Sequence, residues 1–491
     1  MPQPIYLTAD IRRIEERAGA GSPSLMELAG AAAAEVAARL VSDRGKDVLV
    51  LAGPGNNGGD AYEVAAHLKS KYFRVCVVSP ADAAKLPPDA QRAHRKWIDA
   101  GGDVLGAVPG DVKWALVVDG LFGIGLSRAP DGEYAKLMAF ASAQRCPVLA
   151  LDIPSGLASD TGSVLGQAVK ASHTVTFLGL KPGLLTLDGP DHCGEVLVET
   201  LGVDSARVLP ASAWVAEPGL FRDLLKPRTR NFHKGQAGSV GILGGAAGMV
   251  GAALLAARAA LMLGAGRVYV GLLAPDAPVV DSLAPELMLR HPDEALGMEL
   301  DALVVGPGLG QSERAETLVA AALASEMPCV LDADALNLIA ENSDLKEACA
   351  RRRADTLISP HPAEAARLLG VQTSEVQRDR LAAGRRMAGE LNAHVALKGV
   401  GTIIVASDGH WFINTSGNSG MASAGTGDVL SGILGSLLGQ GYGGEAALTL
   451  GVHLHGAAAD ELVASGIGPI GLTAGELIQP ARRIWNNWRQ G

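Results

Sequence analysis

The stretch DVLVLAGPGNNGGD, residues 47–60, sets an apolar, β-branched run directly before a glycine-rich turn. A strand feeding such a turn and then a helix is the opening unit of a parallel α/β sheet. Gly53, Gly55 and Gly58 also fit G-x-G-x-x-G, the dinucleotide fingerprint. A redox dinucleotide site needs an acidic residue at the end of the second strand, to hold the ribose hydroxyls. That strand ends VVSPADA, and Ser79 and Pro80 supply no acid. The glycines can still bring backbone N–H groups to a phosphate at a helix start. Asn56, Asn57 and Asp60, however, mark a different site in the same place.

Working outward, short apolar runs alternate with alanine-rich helical stretches along the whole chain. Strands are predicted at 47–52, 74–79, 114–120, 146–152, 173–179 and 194–200, with two helices before the first. A second series is predicted at 238–245, 266–273, 301–308, 328–335, 355–362 and within 395–407. Between the series, residues 204–238 show no long period and hold Pro210, Pro218 and Pro227. The prediction is an α/β chain with a boundary near residue 214. A Rossmann-like three-layer domain would cover 1–214 and a further α/β domain 215–491.

With 491 residues, more than one core is required. The formal charge of −10, without any Lys/Arg run, argues against a nucleic-acid partner. The basic spot at Lys226–Arg230 reads as a solvated linker. Five scattered cysteines without a C-x-x-C pair read as inert thiols in a reducing compartment. The first 21 residues carry charges where a signal peptide needs an apolar core. The longest small-apolar run, VGAALLAARAALMLGAG, is interrupted by Arg258, so no membrane span is expected. The expectation is a cytoplasmic protein, and its alanine- and glycine-rich α/β pair suggests a homo-oligomer.

Ligands of open parallel sheets bind beyond the carboxyl ends of the strands. Three such ends in the first half carry polar motifs: GPGNNGGD (53–60), DGLFGIGLSRA (119–129) and DIPSGL (152–157). Oxygen donors at Asn57, Asp119 and Ser155 could hold a hard cation, and one carboxylate among neutral oxygens suits a monovalent ion. The same residues could instead only cap turns. Together with TFLGLKPGL (176–184), these motifs make residues 1–205 resemble the NAD(P)H-hydrate epimerase family. The resemblance implies that Asn56, Asn57, Gly58, Gly59 and Asp60 bind hydrated NAD(P)H. It implies the same of Gly123, Ile124, Gly125, Leu126, Ser127, Arg128 and Ala129, with Asp152 nearby. It also implies potassium at Asn57, Asp119 and Ser155. Ala61 departs from the family pattern, which has glycine there, and could crowd the loop.

Near the end stands GNSGMASAGTGDVLSGILGSLLG, residues 417–439. Backbone N–H groups of a helix start make an anion hole, and Asp428 there could move a proton or simply cap the helix. The GTGD sequence resembles the anion-hole motif of ribokinase-like folds, in which the aspartate is the base. With VVGPGLG (304–310), ISPHPAE (358–364) and ALKGVGTIIV (396–405), residues 220–491 resemble the ADP-dependent NAD(P)H-hydrate dehydratase family. By resemblance, Ala252, Gly308, His361 and Asp428 contact the hydrated dinucleotide. Lys398, Gly399, Val400, Gly401, Thr402 and Gly427 then hold the adenine nucleotide.

The expected activity is nicotinamide-nucleotide repair. One domain would epimerise the R and S hydrates, with Asp152 as its acid–base candidate. The other would dehydrate the S form with ADP as co-substrate, Mg²⁺ as helper and Asp428 as base. A vitamin or sugar kinase using Asp428 on a substrate alcohol is the alternative, with the first half a non-catalytic ligand-binding module.

Overall fold

The computed structural model of the protein describes residues 2–490 apart from 20, 22, 42–44, 111, 226 and 227. Lys226 and Pro227 of the predicted basic linker therefore lie outside the described residues. The chain separates into two compact units, Gln3–Ala213 and Trp214–Gly491.

In the first unit, helices Thr8–Ala18 and Leu25–Val41 precede a seven-stranded sheet. Its strands are β1 (Asp47–Ala52), β2 (Arg74–Val78), β3 (Val104–Leu105), β4 (Leu116–Gly120), β5 (Val148–Leu151), β6 (His173–Phe177) and β7 (Glu195–Glu199). They lie in the order β3-β2-β1-β4-β5-β6-β7, all parallel. Side chains alternate across a sheet, and β1 shows what that requires. Val48, Val50 and Ala52 join one core with Ala33, Ala37, Ala61 and Val64. Leu49 and Leu51 join the other with Leu137, Met138 and Ala141. Burial on both faces is why this strand reads as a continuous apolar run. The strand order reverses between β1 and β4, and there the carboxyl ends part.

The second unit holds a ten-stranded sheet. Its strands are β8 (Ala213–Val215), β9 (Ser239–Gly244), β10 (Arg267–Leu272), β11 (Met288–Arg290), β12 (Ala302–Val305), β13 (Cys329–Leu331), β14 (Thr356–Ile358), β15 (His394–Leu397), β16 (Thr402–Val405) and β17 (Trp411–Asn414). Their order is β11-β10-β9-β12-β13-β14-β15-β16-β17-β8. Pairing is parallel from β11 to β15 and antiparallel across β15, β16 and β17. Here the order reverses between β9 and β12. Helices Val250–Met262 and Thr426–Gly439 pack on this sheet and on each other.

That helix pair depends on one missing side chain. A Cβ on Gly432 would stand 2.0 Å from the Ala256 carbonyl oxygen. Overpacking against a rigid backbone costs about 1–3 kcal/mol or more. Gly432→Ala should therefore lower the melting temperature of the second unit, as differential scanning calorimetry would show.

Strands β3, β8, β11 and β17 are absent from the sequence prediction. The first three have only two or three residues, too few for any period to register. Trp411–Asn414 is buried throughout and so lacks the alternation of a half-exposed strand.

Candidate functional site

The first site opens at the reversal between β1 and β4. The helix after β1 starts at Asn56, so Asn56–Asp60 form its first turn, where the sequence suggested loop. This corrects the prediction and has a simple cause. The Gly58 and Gly59 amides both donate to the Gly55 carbonyl, so the helix begins four residues before Asp60, where the sequence places its start. A cavity of about 460 Å³ lies over this turn. Asn56, Asn57 and Asp60 line it, as do Gly123, Ile124, Gly125, Leu126, Ser127 and Arg128 of the loop after β4. Asp152, directly after β5, also faces it.

Gly58, Gly59 and Ala129 are not lining residues. A Cβ on Gly58 would stand 2.0 Å from the Gly53 carbonyl oxygen, and one on Gly59 2.6 Å from Met26 Cε. Both glycines seat the helix on its scaffold. Ala61 is buried against Gly120 and away from the lining, so it does not crowd the cavity.

Beneath the cavity, Asp119 is fully buried at the end of β4. Its carboxylate accepts from the Ser155 amide at 2.9 Å and from the Ser155 hydroxyl at 2.6 Å. Ser155 Oγ in turn accepts from the Phe122 amide at 2.8 Å. Burial pushes the Asp119 carboxyl up to about 6, while the Ser155 donors oppose the shift. Asn57 is buried beside Gly123, and among the described residues neither its amide oxygen nor its amide nitrogen has a hydrogen-bond partner. An orphaned buried amide costs free energy. Asp119 and Ser155 are joined to each other and, through Phe122, to the loop after β4, and Asn57 lies beside Gly123 of that same loop; oxygen donors of this kind fit a monovalent cation.

The sequence reading missed Lys181. Its side chain is fully buried, donating to Thr176 Oγ1 and the Phe177 carbonyl, each at 2.8 Å, and to Asp152 in a short ion pair. Asp152 itself sits at φ +65°, a strained conformation for a non-glycine residue. That strain is held by its amide, which donates to the Val175 carbonyl at 2.7 Å. Burial, then the charges of Asp152 and Glu15, raise the neighbouring Asp60 carboxyl well above its ordinary range.

The second site lies at the carboxyl ends of β12, β13, β14 and β15. Gly425, at φ +89°, turns the chain into helix Thr426–Gly439, and Asp428 stands in its first turn. Lys398, after β15, reaches Asp332 Oδ1 at 3.3 Å, and Ser431 donates to Asp332 Oδ2 at 2.7 Å. A Cβ on Gly427 would stand 3.3 Å from Lys398 Nζ, so the glycine keeps this cradle open. Burial works against the Lys398 charge, but Asp332, Glu364 and Asp428 outweigh it and hold the ammonium above its usual range. Burial and the Asp332 charge push Asp428 up to about 6, with Lys398 opposing. His455 is buried next to the Thr426 backbone, and burial lowers it to about 4, so it is neutral at pH 7. Positive charge at this end is thereby concentrated on Lys398 and the helix terminus.

The other predicted residues of this half divide. Gly308 and Ala252 meet, since a Cβ on Gly308 would stand 3.1 Å from that of Ala252. Gly399 and Gly401, at φ +144° and +59°, shape the turn that carries Val400 and Thr402. Buried Arg380, also missed, holds this turn by donating to the Leu397 and Val400 carbonyls. His361 caps helix Pro362–Leu369, its Nδ1 accepting from the Ala363 and Glu364 amides. Its Nε2 lies 3.4 Å from Glu364 Oε1.

A curated relative from Escherichia coli (strain K12), a bifunctional NAD(P)H-hydrate repair enzyme, is 38% identical over 99% of this chain and 95% of its own length. The chain belongs to the bifunctional NAD(P)H-hydrate repair enzyme family. A Coxiella burnetii family member is 36% identical over 98% of this chain and 99% of its own. Residues 240–479 match the NAD(P)H-hydrate dehydratase model, and residues 22–183 match the model described as YjeF-related protein N-terminus. A ribokinase-like superfamily protein from Enterococcus faecalis V583 superposes with a TM-score of 0.50 at 23% identity. It covers 57% of this repair-family chain and 98% of its own, which places the second unit in the ribokinase-like fold.

Proposed function

We propose that residues 1–214 interconvert the R and S hydrates of NADH and NADPH, and that residues 215–491 dehydrate the S hydrate at the expense of ADP. The observation that carries this reading is Asp428, a carboxyl lifted toward neutrality at a helix N-terminus beside Lys398. It belongs to a chain whose other unit holds a separate cavity of ligand size. Asp428 takes the proton of the C6 hydroxyl as its oxygen attacks the β-phosphorus of ADP, and AMP leaves. Lys398 and the backbone N–H groups around Gly427 stabilise the transferring phosphoryl charge. The ring-nitrogen lone pair then expels phosphate from C6, and loss of a C5 proton restores the reduced ring. Lys398, Gly399, Val400, Gly401, Thr402 and Gly427 are assigned to the nucleotide, and Ala252, Gly308 and His361 to the hydrated dinucleotide. Mg²⁺ would travel with the nucleotide phosphates as part of the substrate, and no side chain is assigned to it.

In the first unit, Asn56, Asp60, the 123–129 loop and Asp152 are assigned to the substrate. Potassium would be held by Asn57, Asp119 and Ser155, supplying a fixed positive charge beside the substrate's anionic groups. Asn57→Leu removes the orphaned amide at similar volume. Potassium, compared with tetramethylammonium, should raise the melting temperature of the intact protein and leave that of the variant unmoved. Cytoplasmic residence and homo-oligomerisation complete the reading, and the free state of Cys76, Cys146, Cys193, Cys329 and Cys349 agrees with a reducing compartment.

The deciding assay gives the separated R and S hydrates to the full chain with ADP or ATP and follows recovery of the reduced-nicotinamide absorbance. Recovery from both epimers with ADP is expected. Phosphate transferred stably from ATP to a small alcohol, with no recovery, would favour the kinase reading.

A further inference from the structure

The match to the N-terminal family model begins at residue 22, yet part of the first cavity's wall precedes it. Ile11, Arg12 and Glu15, from helix Thr8–Ala18, line the same cavity as Asp60 and Asp152. Arg12 reaches over the loop after β4, its Nη2 lying 3.6 Å from where a Gly125 Cβ would stand. Among the described residues, no hydrogen bond or ion pair engages the Glu15 carboxylate, whose residue is exposed to solvent at the cavity mouth. Asp152 differs, being tied to Lys181 and Thr176.

We infer that Glu15 is a catalytic residue of the epimerase site, the group that carries a proton to and from the C6 hydroxyl. This rests on the epimerase reading of the first unit. Inverting C6 by loss and return of water requires a proton at the departing oxygen. The C6–O bond breaks with its electron pair on oxygen, the Glu15 proton completes a water molecule, and the ring-nitrogen lone pair forms the C6=N1 iminium. Water then adds to the other face, and the proton it gives up returns to the Glu15 carboxylate by way of solvent in the cavity, which restores the acid, so no redox partner is needed. Burial and the charge of Asp152 raise the Glu15 carboxyl, while Lys181 and Arg12 pull it down. Glu16 adds to the rise, and Asp60 and Arg128 complete the charged groups around the cavity. A raised carboxyl keeps its proton further toward neutral pH, as a general acid must.

The test uses the full chain and the purified R hydrate, with epimers separated chromatographically. Glu15→Gln should lower kcat for R-to-S conversion about 100-fold and leave KM within about twofold. Glu15→Asp should recover part of kcat with a displaced alkaline limb in the pH profile. Arg12→Gln, on the same helix, should raise KM and spare kcat. The proposal is overturned if Glu15→Gln keeps kcat within about threefold of the parent, or if its loss is confined to KM. It is also overturned if Glu15→Gln and Arg12→Gln lose kcat alike, which would make the helix a structural wall. Wild-type conversion in the same series tests the epimerase reading separately: without it that reading fails, whatever the variants do.

Discussion

Asp428→Asn is expected to reduce S-hydrate dehydration by about 10²–10⁴-fold, the range for loss of a general base, while ADP still binds. The amide keeps the shape of the first helical turn but cannot accept the hydroxyl proton. Titration calorimetry with ADP, beside the absorbance assay, separates the two effects. The parent enzyme should lose turnover as pH falls through about 6, because there Asp428 takes up its proton. Stability should move oppositely. A carboxyl raised from 3.8 to about 6 opposes folding once it must ionise, so its cost is absent below the lower value and complete above the higher. Allowing for its part-exposure, that cost is about 1–3 kcal/mol. Asp428→Asn should therefore melt higher than the parent at pH 7 and level with it near the lower value. Retained turnover would remove Asp428 from its role, and equal melting at both pH values would contradict the burial argument.

Lys181→Met is expected to abolish epimerisation and destabilise the first unit while S-hydrate dehydration continues. Removing one partner of a buried ion pair leaves an uncompensated charge, at a cost of about 3–5 kcal/mol. The surviving charge is Asp152, already held at positive φ on the cavity floor. Calorimetry should show the first unit's transition falling by roughly 6–20 °C. Lys181→Met combined with Asp152→Asn should recover most of that loss without restoring R-to-S conversion. Recovery of conversion in the double variant would mean that the pair only builds the floor of the cavity.

Much of this was legible in the sequence because parallel strands buried on both faces leave long apolar runs. Val48–Ala52 and Ser239–Gly244 are examples, and the glycine turns after each locate the strand ends. Asn57, Asp119, Ser155 and Asp428 stood out because they fall at strand ends and a helix start, where open parallel sheets bind ligands, although turn and helix caps use the same residue types. Lys181 did not, although the stretch around it was read as diagnostic. A lone lysine has no spacing partner, and its partner Asp152 is 29 residues away in sequence. Asp332 was passed over in LDADALN for the same reason, since only the fold brings Lys398 and Ser431 to it. Arg12 and Glu15 fall in a helix predicted before the first strand, and the sequence marks neither of them. Nothing local says that one face of that helix roofs a cavity.

The antiparallel edge of the second sheet offers a practical opening. The turn at 407–410, between β16 and β17, exposes Asp408 and His410. Because Val395 pairs with Val405, this turn lies at the rim opposite the catalytic strand ends. A fluorophore, affinity handle or inserted reporter placed there would leave the machinery of that unit untouched. The repair enzyme could then be immobilised or tracked while it works.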